Sequence, residues 1–320
     1  MQARSFSQKL SKQSKMTLFM LLFLIVLIFA AIWVPNFTNP ENIRNVMAQM
    51  ALLIIVGAAV TLLLITGNLD LSVGAVVAQS GVLYALFCQM GMSVPLAMAL
   101  GILSGVIIGL LNAFLVVRLG IVSVLATLGT MSIARGIAYI FADGSMVEVG
   151  LPPAFRVFQT TRIGPFQIPD LVMVAVVILF VVIQAKTIFG QKVYYIGANP
   201  STARLSGVRV GRMVTSLYTI SGLLAGTCGV MLASKLGAGD CKVGAGYEFD
   251  AVVASVLGGT SIVGGEGSIL GMVVGMFILG VLNNALNLMG IIPYWQQIIK
   301  GIVLIVAILA QRQAMSRLKG

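Results

Sequence analysis

Long apolar runs separated by short polar gaps dominate the chain. Runs such as 17–35, 98–117 and 271–282 carry no charge at all. A helix needs about 20 apolar residues to cross a bilayer, so the hydropathy pattern predicts about ten spans. They fall near 17–35, 46–66, 71–90, 94–117, 121–141, 170–185, 213–235, 249–264, 268–288 and 296–311. The run at 170–185 is short, and that at 249–264 is short and contains glycine. Each reads as tilted, broken or re-entrant. The fold class that follows is all-α: one polytopic membrane domain over 1–320. The longest outer segment, about 142–169, holds Pro152, Pro153, Pro165 and Pro169 and reads as a structured loop or short helix lying on the bundle.

Charge orients the bundle. Charged residues are 9% of the chain, against roughly 25% in soluble domains. The net charge is +11, and the basic residues sit in the gaps between apolar runs. An even number of spans with the N-terminus inside puts the tail 1–16, the loop 186–212 and the tail 312–320 on one side. With Arg118, that side then carries 13 basic residues against five outside, with Arg135 and Lys300 within spans and predicted to snorkel. The bias predicts an N-in, C-in protein. No basic patch interleaved with aromatics is present, so nucleic acid is not an expected partner.

The same composition excludes much chemistry. Histidine is absent, and Cys88, Cys228 and Cys241 are far apart. Neither a metal site nor a disulfide framework is expected, nor any catalytic residue. None of the nine lysines follows a glycine, so the chain lacks a phosphate-binding P-loop. ATP-driven transport would need a separate ATPase chain. The first apolar run is longer than the 7–15 residues of a signal-peptide core and reads as an uncleaved helix.

Polar segments that interrupt the apolar pattern are the functional candidates. In the first, Gly67, Asn68, Asp70, Ser72 and Gly74 lie between two spans. A carboxylate there is costly unless partnered, and flanking glycines permit a tight turn. Asp70 suits the N-cap of a helix with Leu71 and Ser72 in its first turn. The segment reads either as a capped turn or as a gate at the inner mouth of a pathway. In the second, Asn199 suits an N-cap, Pro200 the first helical position and Gly207 the stop. Ser201, Ala203, Arg204 and Leu205 fill the short helix between them, placed in the basic loop. It would lie on lipid headgroups or insert into a groove on a partner. A third stretch, glycine-rich from Gly244 to Ser268, ends in Glu266-Gly267-Ser268-Ile269. It shares an acid-x-Ser-aliphatic pattern with Asp70-Leu71-Ser72-Val73, a hint of an internal repeat.

Neutral amides are the remaining intramembrane polar groups. Gln49, Asn112, Asn283, Asn284 and Asn287 suit either a route for a polyhydroxylated substrate or hydrogen bonds between helices. Few acids lie within spans, which disfavours proton or sodium coupling. Stripes at Gly101, Gly105 and Gly109, Gly222 and Gly226, and Gly271 and Gly275 predict close helix packing.

Gly67–Gly74 resembles the Gly-Gly-Ile-Asp-Leu-Ser-Val-Gly signature of bacterial permeases for ribose and related monosaccharides, with Asn68 and Leu69 as departures. The stretches 197–207, 257–271 and 282–290 resemble the same family, in the same order, within a likeness covering about 44–310. The resemblance implies the membrane subunit of a binding-protein-dependent ABC importer in a bacterial inner membrane. It implies a fold like vitamin B12 importers (type II), a homodimer of permeases, two cytoplasmic ATP-binding subunits and a periplasmic sugar-binding protein. ATP and magnesium would be bound by the ATPase, and 199–207 would be its coupling helix. The alternative is a self-sufficient carrier or channel for small polar solutes.

Overall fold

The computed structural model describes residues 24, 25, 27–148, 150–164, 166–292, 294–302 and 305. The tails 1–16 and 312–320 lie outside the described residues, as do parts of the spans expected at 17–35 and 296–311. The principal helices are α1 (Pro40–Ile65), α2 (Val73–Gln89), α3 (Val94–Ala113, running on as a wider turn to Arg118), α4 (Ser123–Phe141) and α5 (Ile168–Lys186). After them come α6 (Ile188–Ala198), α7 (Pro200–Leu205), α8 (Val210–Leu236), α9 (Tyr247–Leu257) and α10 (Ile269–Leu288). Among the described residues, six helices are long and apolar enough to cross a membrane: α1, α3 with its extension, α4, α5, α8 and α10. The chain is a multi-pass helical membrane protein. Helix α2 is equally apolar at 17 residues.

Local chemistry sets the helix ends. Asn39 accepts from the Glu41 amide ahead of Pro40, and Thr187 accepts from the Gly190 amide. Gln167 and Asp170 form a reciprocal capping box at the start of α5, so this helix runs 19 residues where the sequence predicted a shorter one. Gly237, at φ +73°, closes α8.

Helix α1 is the axis of the bundle. Every residue from Met50 to Ile65 is buried, and α5, α8, α9 and α10 pack around it. It is apolar on all faces, as a helix enclosed by other helices must be. Helices α2, α3 and α8 form the second half, with α4 against α2. The glycine stripes perform the expected packing. A Cβ at Gly105 would overlap the Gly222 carbonyl, and one at Gly109 the Tyr218 carbonyl. Gly271 and Gly275 approach Gly258 and Ala254 just as closely.

The short run at 249–264 is broken, one of the readings open to it, and the loop 186–212 departs from its expectation. The span expected at 249–264 begins as α9, which has 11 residues, about 16 Å of helix. That is roughly half a hydrocarbon core. The chain then runs irregularly through 258–268 to the start of α10. Glycines at positive φ, among them Gly259, Gly264 and Gly265, stop the helix from continuing. The loop 186–212 holds two helices, α6 and α7, where one was expected. The segment 142–169 does lie on the bundle. It contains a 3-10 turn (Pro153–Arg156), a helical turn (Val157–Thr160) and two-residue strands β1 (Met146–Val147), β2 (Arg162–Ile163) and β3 (Phe166–Gln167). Strand β1 pairs antiparallel with β4 (Gly239–Asp240), and β2 with β3. Phe155 anchors it, fully buried, its ring stacked on Tyr84 at 4.4 Å while the Tyr84 hydroxyl donates to its carbonyl.

Candidate functional site

Three segments meet at the end of the bundle that carries the basic loop: the turn between α1 and α2, the helices α6 and α7, and the irregular 258–268 segment. The Gly265 amide donates to the Ile65 carbonyl at 2.8 Å. A Cβ at Gly197 would overlap both of those atoms.

In the first turn Gly67, at φ +77°, reverses the chain, and the Asn68 amide donates back to Leu63. Asp70 follows, 1% exposed. Its Oδ1 accepts from the Ser72 amide at 3.0 Å, from Ser72 Oγ at 2.6 Å and from Asn112 Nδ2 at 3.4 Å. Its Oδ2 accepts from Ser221 Oγ at 2.7 Å. Asn112 also donates to Ser72 Oγ and accepts from Thr130. The residues around Asp70 are held as well: the Leu69 amide donates to Ser123 Oγ, and Tyr218 donates to the Leu69 carbonyl. Burial pushes the Asp70 carboxyl above the usual carboxylate range, against the downward pull of its bonds from Ser72 and Ser221.

Two readings of this turn need correction. Asp70 is not the N-cap, because α2 begins at Val73 with Ser72 before it. Donors on α3 and α8 draw the carboxylate sideways into the bundle instead. Gly74 is no turn residue either. It lies in the first turn of α2, where a Cβ would overlap the Gly244 carbonyl and Glu248 Oε2. Its missing side chain permits close approach of two segments.

The short helix in the basic loop is placed as its residues predict. Asn199 Oδ1 accepts from the Ser201 and Thr202 amides, both at 3.0 Å. Pro200 opens the helix, and Gly207, at φ +80°, follows its last turn. Ala203 is buried against the bundle, whereas Ser201, Arg204 and Leu205 point outward. Leu205 is 90% exposed, a large apolar side chain offered to whatever covers this end.

The five amides do not form one cluster. Asn112 belongs to the Asp70 network. Asn284 exchanges two hydrogen bonds with Asn42, at 2.8 and 2.9 Å, and Asn287 accepts from Gln296 at 2.7 Å. Asn283 Oδ1 is buried with no hydrogen-bond partner among the described residues, and Gln49 is exposed. Asn283, Asn284 and Asn287 thus gather on one end of α10, away from Asp70. Arg135 and Lys300 do not snorkel. Arg135 donates to the Cys241 and Val243 carbonyls at 2.8 and 2.7 Å, and Lys300 pairs with Asp250 at 2.8 Å. Among the described residues, no group of three or more His, Cys, Asp or Glu could hold a metal.

Sequence reading missed Gln184 and Tyr194. Tyr194 Oη donates to the Gly267 carbonyl at 2.7 Å and accepts from Gln184 Nε2 at 2.8 Å. Burial raises the Tyr194 phenol above its ordinary range, so it stays a donor. Gln184 had a signal: an amide near the end of an apolar run, of the same kind as those already singled out.

Comparison with known proteins agrees with this architecture. A model of the family "Branched-chain amino acid transport system / permease component" matches residues 42–308. The chain belongs to this permease family. It is therefore a transport component, not an enzyme. It is 36% identical over 296 residues to the ribose import permease protein of Bacillus subtilis (strain 168), covering 92% of each chain. To the ribose import permease protein of Escherichia coli (strain K12) it is 33% identical, covering 87% of this chain and 88% of the relative. To the L-arabinose transport system permease protein of the same strain it is 36% identical, covering 92% and 89%. No solved structure matches.

Proposed function

We propose that this permease is the membrane-spanning subunit of an ATP-driven, binding-protein-dependent importer for ribose or a related monosaccharide. The observation that carries this reading is the near-full-length similarity to three permeases named for pentoses. Neutral amides on α1 and α10 suit a polyhydroxylated, uncharged substrate. The chain lacks a P-loop lysine, so ATP and magnesium belong to a separate cytoplasmic ATPase. A periplasmic sugar-binding protein delivers the sugar, and two copies of the permease form the pathway between them, as in vitamin B12 importers. The basic end faces the cytoplasm of a bacterial inner membrane.

In this reading α7 is the ATPase contact. It is pinned by Asn199 and Ala203 and presents Leu205 and Arg204 outward. ATP-driven closure of the ATPase pair shifts α7 and switches the bundle between outward-open and inward-open states.

The test is uptake by proteoliposomes that hold the permease, its ATPase and its binding protein, with each omitted in turn. ATP-dependent ribose or L-arabinose uptake requiring all three supports the reading. Uptake by the permease alone would make it a self-sufficient carrier. Leucine uptake in place of sugar uptake would favour the substrate class in the family's description. Leu205→Glu should abolish ATP-dependent uptake while leaving membrane insertion intact.

A further inference from the structure

Helix α6 is fastened directly to the irregular 258–268 segment. Tyr194 Oη donates to the Gly267 carbonyl, and Gln184 Nε2 donates to the Tyr194 oxygen while lying 3.5 Å from that carbonyl. Gln184 Oε1 accepts from the Ile269 amide at 3.0 Å. Ile269 opens α10, so this amide has no partner within its own helix. One side chain thus ties the end of α5, the middle of α6 and the start of α10 together.

Three residues beyond Tyr194, Gly197 meets the Ile65 carbonyl and the Gly265 amide backbone to backbone. Such a contact cannot yield, because no flexible side chain stands between the segments. Ile65 ends α1, the buried axis of the bundle. A single residue, Asn199, separates α6 from α7. Movement of α7 therefore enters α6 directly. Helix α6 has a rigid bearing at Gly197 and a hydrogen-bonded attachment at Tyr194.

We propose that Tyr194, held by Gln184, is the positioning residue that carries movement of α7 into the 258–268 segment and the start of α10. This rests on the permease reading above. With α1 enclosed on all sides, the segment that gives way is the one without regular structure. Its glycines outside that contact, such as Gly259 at φ +87°, take up the change in backbone angle. Gly197 acts as the pivot and the Tyr194–Gly267 bond as the arm.

Tyr194→Phe keeps the ring and removes the hydroxyl. The complete complex would be tested in proteoliposomes, with radiolabelled ribose or L-arabinose uptake and ATP hydrolysis read on the same vesicles. Removing a hydrogen bond made in one conformational state shifts an equilibrium by up to about tenfold. Sugar moved per ATP hydrolysed should fall by about that factor, with hydrolysis within about twofold of the unaltered complex. Gln184→Glu keeps the acceptor for Ile269 and loses the donor. It should lower the same ratio, and combining it with Tyr194→Phe should add little, as for two members of one network. Unchanged sugar per ATP in Tyr194→Phe would overturn the proposal. So would a parallel fall in uptake and hydrolysis, which marks a merely structural role. Lack of ATP-dependent uptake by the unaltered complex would instead overturn the permease reading beneath it.

Discussion

Asp70-Leu71-Ser72-Val73 and Glu266-Gly267-Ser268-Ile269 share one pattern, and each leads into a helix from the same end of the bundle. Yet Asp70 is buried and Glu266 lies at the surface. The two serines differ too. Ser268 caps α10 by accepting from the Gly271 amide, whereas Ser72 makes no cap bond and spends its hydroxyl on Asp70. In the first turn the acid organises side chains from α3 and α8. In the second the backbone does the work: the Glu266 carbonyl accepts from the Ser261 amide, and the Gly267 carbonyl from Tyr194. The shared pattern marks the start of a helix. Whether the acid becomes a hub depends on the helices packed beside it. The first turn is held through a buried side chain, the second through its backbone carbonyls.

Substitutions can break that contrast. Asp70→Ala leaves the Ser72 amide and the Ser72 and Ser221 hydroxyls buried without their acceptor. It should cost about 3 kcal/mol or more, read as a large fall in thermal midpoint in detergent. A fall no larger than that of Glu266→Ala would remove the distinction between the two turns. Ser72→Ala deprives both Asp70 and Asn112 of a partner and should cost about 2 kcal/mol. Ser268→Ala loses only a cap, at about 1 kcal/mol. The reverse order would mean that the second turn is the one held through its side chain.

Acidity sharpens the same comparison. The Asp70 carboxyl is raised above 3.8 by burial, so the fold favours its protonated form. The stability tied to that proton is complete below 3.8 and is lost as pH rises through the raised value. The thermal midpoint of the unaltered chain should therefore drop across that rise, and Asp70→Asn should remove that part of the slope. Equal slopes in the two proteins would place the titration elsewhere. Glu266→Ala should lower the thermal midpoint less than Asp70→Ala does, because the Glu266 side chain is exposed.

Much of the bundle was readable from hydropathy. Helices α1, α3, α4, α8 and α10 lie within a few residues of the predicted spans, apart from the earlier start of α1 at Pro40. Helix α7 was readable from its caps alone. Helix α6 was not, because Lys192, Gln191 and two tyrosines keep it below the apolarity of a span while it lies packed at the bundle's end. The partners of Asp70 were also out of reach. Ser221 is 151 residues away and Asn112 is 42, and nothing local marks them as neighbours.

The sequence by itself determined that this protein is a helical membrane bundle with a basic end and a capped helix in its basic loop. Burial of apolar runs and capping of free amides are properties of contiguous residues. Only the tertiary structure decided which polar groups meet. It made Asp70 a hub, paired Asp250 with Lys300, and left 258–268 irregular but tied down by Ile65, Gln184 and Tyr194. Without water in the bundle interior, each polar group must take its partner from whatever helix packing brings within hydrogen-bond reach.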